Sequence, residues 1–145
     1  MDKRIQQEKI KVMVFGTFDG LHRGHLHFFK QARTLTKNSF LIVSIARDKN
    51  VIKIKGKAPE RSEKDRMELI KKCKLVDKVV ISGIRNHLPH IVKEHPHIIA
   101  LGYDQKEYVN NLKKDLQNKG ILVKIVRLQP YQEKIYKNRL LQKKR

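Results

Sequence analysis

Gly16-Thr17-Phe18-Asp19-Gly20-Leu21-His22-Arg23-Gly24-His25 is the stretch that decides the fold. It follows Ile10-Lys11-Val12-Met13-Val14-Phe15, a β-branched and aromatic run of the kind that forms a buried strand. It precedes residues 26–35, where Leu26, Phe29, Ala32 and Leu35 recur at the steps of one helix face. A glycine-bearing turn between a first strand and a first helix lies, in an open α/β sheet, at the carboxyl end of the strands. There the leading N–H groups of the helix can receive a phosphate. His22 and His25 stand across the presumed start of that helix, so both rings can face one side and donate to a single oxyanion cluster, with Gly24 keeping bulk out of the way. A bare H-x-G-H would more readily be two surface histidines in a chain that holds seven, and the full string is much more specific.

Outward from this turn, residues 39–46 read as a second buried strand, and strand, helix, strand in that order imply parallel pairing. Residues 47–59 read as a basic connection carrying Arg47, Lys49, Lys53, Lys55 and Lys57. Such a charge run is commonly a solvated face, but this one emerges on the same edge as the turn. Ser62 can cap a helix with Asp65 reaching back from the third position, and Met67, Ile70 and Cys73 form its apolar face. Arg66, in the first turn of that helix, can hold a phosphate or brace Asp65 and Glu68. Residues 77–81 read as a third strand, 84–94 as a helix begun or interrupted at His87-Leu88-Pro89-His90, and 97–101 as a fourth strand. Residues 107–116 read as a helix with Tyr108, Leu112 and Leu116 in register and Gly120 past its end, and 121–126 as a fifth strand. Asp104 comes just after the fourth strand, where a carboxylate can meet a ligand, cap the next helix, or do both. His87, His90, His95 and His97 are close in sequence, but acidic and cysteine partners at usable spacing are missing and no metal site is expected.

The pattern predicts an α/β chain with a Rossmann-like three-layer fold around a five-stranded parallel sheet. The 145 residues contain no long Pro/Gly/Ser linker, so a single domain over 1–145 is expected, with 1–9 and 142–145 frayed. No apolar run approaches the ~20 residues a membrane span needs, and the polar, charged start does not read as a signal peptide. The lone Cys73 offers no internal disulfide, faces the core, and fits a reducing cytoplasm. A net charge of +20 suits anionic ligands, yet it is spread along the chain and exceeds what one small-molecule pocket needs. Nucleic acid stays open as a partner, although no binding motif and no aromatic stacking platform points to it.

The string G-T-F-D-x-L-H-x-G-H directly after a first strand resembles the signature of the cytidylyltransferase-like nucleotidyltransferases. These enzymes join a nucleoside triphosphate to a phosphate-bearing acceptor and release pyrophosphate. Ile45-Ala46-Arg47-Asp48, Lys53-Ile54-Lys55-Gly56-Lys57-Ala58-Pro59, Asp65-Arg66 and Ile98-Ile99-Ala100-Leu101-Gly102-Tyr103-Asp104-Gln105 are similar, in order and spacing, to segments of the archaeal-type FAD synthases, which are FMN adenylyltransferases. The similarity runs from about Lys11 to about Tyr136.

The resemblance implies a nucleotidyltransferase-type sheet and a set of roles. His22, His25 and Lys55 would be catalytic, the imidazoles donating to α- and β-phosphate oxygens and the lysine neutralising the leaving group, with Lys53 and Lys57 as its nearest substitutes. Gly16, Thr17, Phe18, Arg23, Gly24, Gly102, Asp104 and Tyr136 would meet the nucleotide, Asp104 through ribose hydroxyls, base or a metal-bound water. Arg66, Arg127, Lys137 and Arg139 would add phosphate contacts. The family usually presents Ser and Thr at the start of its last helix, whereas this chain has Tyr136-Lys137-Asn138-Arg139. Lys137, Asn138, Arg139 and the backbone N–H groups have the right sign to hold phosphate instead. A divalent cation, Mg²⁺, would bind through the nucleotide, without a metal site on the protein. The implied partners are ATP or CTP and a phosphate-bearing acceptor, FMN first, with a homodimer suggested only by kinship. Two alternatives stay open: a CTP-dependent cytidylyltransferase acting on glycerol 3-phosphate or a similar alcohol phosphate, and a nucleotide-binding protein without turnover.

Overall fold

The computed structural model describes residues 8–83, 86–103, 105 and 111–130. Strands β1 (Ile10–Gly16), β2 (Ser39–Ile45), β3 (Lys78–Ile81), β4 (Ile98–Leu101) and β5 (Lys124–Arg127) form one parallel sheet in the order β3-β2-β1-β4-β5. Helices α1 (Arg23–Thr34), α2 (Asp48–Lys55), α3 (Glu63–Lys71), α4 (Leu88–Glu94) and α5 (Leu112–Asn118) connect the strands, α2 and α3 both between β2 and β3. β1 and β2 carry unbroken apolar runs because both faces of a parallel sheet are covered. Val12 and Val14 pack with Leu41 and Val43 under Phe29 and Ala32 of α1 and Ile70 of α3. Met13 and Phe15 face the opposite way, with Ile42 and Ile99, under Ile91 of α4 and Leu112 and Leu116 of α5. Each such side chain contributes about 1.5–3 kcal/mol relative to exposure, so the two central strands hold the three layers together. The chain leaves β1 toward β2 and β3, then returns on the other side as β4. That reversal opens a crevice at the carboxyl ends of β1 and β4.

The expected strands are all present, with ends moved by a few residues. β5 starts at Lys124 because Ile121 and Val123 bury in the core ahead of the ladder, and the Ile121 N–H closes α5 on the Leu116 carbonyl. The basic connection over 47–59 is not open loop. It contains α2, which starts at Asp48, buries Val51 and stops at Gly56 in the left-handed conformation, φ 79°. Helix α1 starts at Arg23, before the apolar periodicity begins. The first part of the expected 107–116 helix and both chain ends, 1–7 and 131–145, lie outside the described residues.

Two local devices shape the carboxyl edge. Phe18 has φ 52°, a left-handed conformation that costs a non-glycine residue about 1–2 kcal/mol. Burial of its ring against Phe29, centroids 5.3 Å apart, offsets this. The ring lies over Gly16, where an added Cβ would come within 2.6 Å of it, so only glycine fits at the end of β1.

The second device corrects an expectation. Arg66 is 0% exposed and is turned into the protein rather than toward a phosphate. Its Nη1 donates to the Thr17 carbonyl at 2.7 Å, its Nε to the Arg61 carbonyl at 3.1 Å, and its Nη2 to Asp48 Oδ1 at 2.6 Å. The brace therefore runs to Asp48, not to Asp65 or Glu68. Asp48 in turn accepts the Glu63 N–H, and Glu63 accepts the Asp48 N–H, so α2 and α3 cap each other with Arg66 between them.

Arg66→Met should lower the unfolding free energy by about 1.5–3 kcal/mol in denaturant titrations, since it strips a charged hydrogen-bond network. A variant as stable as the parent would mean that the guanidinium is free to turn toward a ligand. Gly16→Ala should lower stability by about 1–3 kcal/mol through the Phe18 clash, and a loss under about 0.5 kcal/mol, the size of an ordinary surface substitution, would show that the ring yields freely.

Candidate active site

Two imidazoles cap the start of α1. His22 is the N-cap residue, and its Nδ1 accepts the Gly24 N–H at 3.0 Å. The Nδ1 of His25, three positions on, accepts the His22 N–H at 3.3 Å. This is the reciprocal arrangement that Ser or Thr makes with Glu, built here from rings. The two rings stack with centroids 3.7 Å apart and planes 23° apart. A ring nitrogen that accepts a backbone N–H carries no proton, so each neutral imidazole keeps its hydrogen on Nε2 as a donor. Burial pushes His25 down to about 4, His22 adds to the shift, and the Gly20 carbonyl counters it only in part. At neutral pH His25 is an uncharged donor. The first turn of α1 contains no carboxylate, so the positive end of its dipole is left for an anion.

This turn forms one wall of a cavity of about 960 Å³ at the carboxyl edge of the sheet. That is near the top of the ~300–1,000 Å³ usual for small-molecule sites, enough for more than one substrate. Lys53, Ile54 and Lys55, from the last turn of α2, line it, as do Ser44 near the end of β2, Ala46 after it, Ser82 after β3, Gly102, Tyr103 and Gln105 after β4, and Gln129 and Pro130 after β5. Long-range hydrogen bonds hold the rim in place. Asp19 accepts the Glu60 N–H at 2.7 Å and the Arg61 N–H at 2.8 Å, fastening that segment to the turn. The Arg61 and Glu60 N–H groups hold the Asp19 carboxyl below its ordinary value. Gln105 accepts the Gly102 N–H at 2.7 Å and donates to the Phe15 carbonyl at 2.8 Å, tying the end of β4 to that of β1.

Of the residues expected from sequence, Gly16, Thr17, Phe18, His22, Gly24, His25, Lys55 and Gly102 line this one cavity. Arg23 does not; it is exposed at the first helical position, and a helix turns each residue away from its neighbour's face. Arg127 is also engaged elsewhere, its Nη1 donating to the carbonyls of Gly102 and Gln105 at 2.8 Å, so it shapes the loop after β4. Lys57 lies past Gly56 and off the lining, whereas Lys53 is on it. Asp104, Tyr136, Lys137, Asn138 and Arg139 lie outside the described residues. The later histidines serve separate neighbours: His97 Nδ1 accepts the Lys11 N–H at 3.0 Å, His95 ends α4 with φ 53°, and His90 Nε2 pairs with Ser44 Oγ at 2.9 Å. Among the described residues no three His, Cys, Asp or Glu side chains are grouped to hold a metal ion.

Sequence reasoning passed over Asn50, Ser82, Gln129 and the pinning roles of Asp19 and Gln105. A usable signal existed for some of them. The residues just past each strand of a parallel sheet share its functional edge, and reading off the first one after β2, β3 and β4 would have reached Ala46, Ser82 and Gly102 together, with Gln129 two positions past β5.

The chain matches the cytidylyltransferase-like family over residues 13–139. It is 43% identical over 127 residues to the FAD synthase of Thermococcus sibiricus, covering 87% of this chain and 84% of that protein. It is 42% identical over 119 residues to the FAD synthase of Korarchaeum cryptofilum, covering 81% and 80%. Among solved structures, the lipopolysaccharide core biosynthesis protein from Thermoplasma volcanium superposes with a TM-score of 0.77 at 37% identity, over 86% of this chain and 99% of that one. Among the described residues no helix is long and apolar enough to cross a membrane. With the family match reaching from within β1 to well past β5, the chain belongs to the cytidylyltransferase-like family.

Proposed function

We infer that this chain is an FMN adenylyltransferase, which moves the adenylyl group of ATP onto the phosphate of FMN to give FAD and pyrophosphate. The observation that carries the chemistry is the stacked His22–His25 pair facing the same cavity as Lys53 and Lys55. The FAD synthase relatives, similar over most of their length, support the choice of substrates. An oxygen of the FMN phosphate attacks the α-phosphorus of ATP in line as the bond to the bridging oxygen of pyrophosphate breaks. A phosphate monoester has its second pKa near ~6, so this nucleophile is already ionised and needs no general base. What remains is to orient the two substrates and meet charge building on the α-phosphate and on departing pyrophosphate.

In this reading the Nε2–H groups of His22 and His25 donate to α- and β-phosphate oxygens, the N-terminus of α1 adds its dipole, and Lys55, with Lys53 beside it, meets the leaving group. A divalent cation such as Mg²⁺, which prefers oxygen ligands, would come bound to the nucleotide and would supply further charge neutralisation beside these residues. The buried thiol of Cys73 needs no oxidising compartment, in keeping with a cytoplasmic enzyme.

Incubation with FMN or glycerol 3-phosphate, each with ATP or CTP, should yield FAD from FMN and ATP and no other product above background by chromatography. CDP-glycerol as the main product would replace this reading with the cytidylyltransferase one, and tight ATP binding without pyrophosphate from any acceptor would replace it with a non-catalytic one. His22→Ala and His25→Ala should each lower kcat by about 10²–10³, the usual loss for one such donor. Near-parental pyrophosphate release by both would remove the imidazoles from the chemistry. The depressed titration of His25 also has a consequence for stability. Between pH 6.5 and about 4 the unfolded chain takes up a proton there that the folded chain refuses, so its contribution is full above 6.5 and is lost as pH falls. Unfolding free energies should decline over that window less steeply in His25→Gln than in the parent; equal slopes would show that His25 titrates normally when folded.

A further inference from the structure

The cavity is lined from both sides of the end of β1, and each side is taken here as one arm. One runs along β4 and β5, where the strand order reverses and sheets of this topology receive a nucleotide. The other runs along β2 and β3 and is walled by Ser44, Ala46, Asn50, Ser82 and His87. None of these five residues carries a fixed charge; the lysines of the lining, Lys53 and Lys55, come later on α2, past Asn50. Arg47, the cation at the head of this arm, points its Nε at the Ser82 carbonyl, 2.8 Å away, and its Nη1 at Glu63, 3.3 Å away. Burial holds His87 below the ordinary histidine range.

Most polar groups of this wall are engaged within the protein. Ser44 Oγ pairs with His90 Nε2 at 2.9 Å, and Asn50 Nδ2 donates to the Gly83 carbonyl at 2.9 Å. The Ser82 N–H donates to the Ile45 carbonyl at 2.9 Å, so both backbone groups of Ser82 are fixed. Its side chain is the exception. Ser82 is 3% exposed, and its Oγ has no hydrogen-bond partner among the described residues. A buried hydroxyl without a partner is destabilising, and such a group in a cavity wall is explained when a ligand completes its bond.

We propose that Ser82 is a specificity residue for the acceptor, its hydroxyl hydrogen-bonding the uncharged polar edge of a planar heteroaromatic ring seated along β2 and β3. The inference rests on the FMN adenylyltransferase reading and assigns the flavin ring, rather than any phosphate, to this arm. A hydroxyl can donate to a ring carbonyl or accept from a ring N–H, the two groups that alternate along the flavin's pyrimidine edge. A neutral wall suits such an edge, whereas a phosphate calls for the cations and helix N-terminus found at the His22 and Lys55 end.

The test compares the parent with Ser82→Ala, using quenching of FMN fluorescence for binding, steady-state kinetics for FMN and ATP, and thermal unfolding without ligand. Ser82→Ala should raise both the Kd and the KM for FMN about tenfold, the weight of one hydrogen bond. The KM for ATP should stay within about twofold, and Tm should hold or rise because an unsatisfied hydroxyl has been removed. An unchanged FMN Kd overturns the proposal. An equal rise in the KM for ATP, or a lower Tm, makes Ser82 a structural residue and overturns it as well. If the parent makes FAD and Ser82→Ala binds FMN as the parent does, the assignment of Ser82 alone fails. If the parent makes no FAD, the functional reading fails and this inference falls with it.

Discussion

The chemistry of this fold depends on where helix α1 begins, and a pair of imidazole nitrogens decides that. Apolar periodicity alone would start the helix at Leu26, leaving His22 and His25 as loop residues with free rings. By accepting the Gly24 and His22 N–H groups, the two Nδ1 atoms extend the helix back over the motif. The same bonds settle three further properties: the tautomer, which leaves hydrogen on Nε2; the ring orientation, locked by stacking; and the placement of the helix dipole behind both donors. Phe18 continues the same rigid unit. Its left-handed backbone folds its ring over Gly16 and sets it edge-on to His25, centroids 5.3 Å apart, so strand end, turn and helix start are packed together.

A second unit presents the cations, and it shows why a buried arginine and an exposed lysine are not interchangeable. Arg66 has a planar fork that can meet three fixed acceptors at once, and it spends those donors locking α2 to α3 and to the Thr17 carbonyl. Lys53 and Lys55 sit at the far end of the helix so anchored, on flexible stems. A charge that must follow a departing pyrophosphate is better carried on such a stem than in a rigid fork. The fixed cation thus shapes the site, and in the proposed mechanism the two lysines that line it would meet the leaving group.

What could be read from the sequence follows a simple physical division. Features set by neighbours in the chain were legible: the strands from their β-branched runs, the three layers from strand and helix alternation, the Ser62 cap, whose Oγ accepts the Asp65 N–H at 3.1 Å, and Gly120 beyond α5 at φ 80°. Features set by distant partners were not. Helix α2 hides because Val51, Ile52, Lys53, Ile54 and Lys55 nearly alternate, while its stability comes from Glu63 and Arg66 in another helix. The direction of Arg66 depends on a carbonyl 49 residues away, and the role of Gln105 on one 90 residues away. The early start of α1 was hidden for another reason: histidine is not a usual capping residue, so only the two rings in place reveal the box.

The net charge of +20 and the neutrality of His25 bear on the same question, how an enzyme surrounded by anions tells them apart. ATP, FMN, pyrophosphate and FAD are all anionic, and surface charge attracts them alike; it quickens encounter and confers no preference for the transition state. Uniform attraction would only deepen ground-state and product binding. Short-range donors behave differently. A neutral Nε2–H aimed by its own helix cap gains most where negative charge concentrates within hydrogen-bond reach, and loses that gain when the oxygen moves off line. The sequence places its positive charge broadly and its directional donors in one turn, so in the proposed mechanism the turn, rather than the charge, would carry the selectivity for phosphoryl geometry. The proposal for Ser82 extends the same logic to the acceptor: a ring edge there would be read by hydrogen bonds whose geometry must fit, beside an Arg47 held by Ser82 and Glu63.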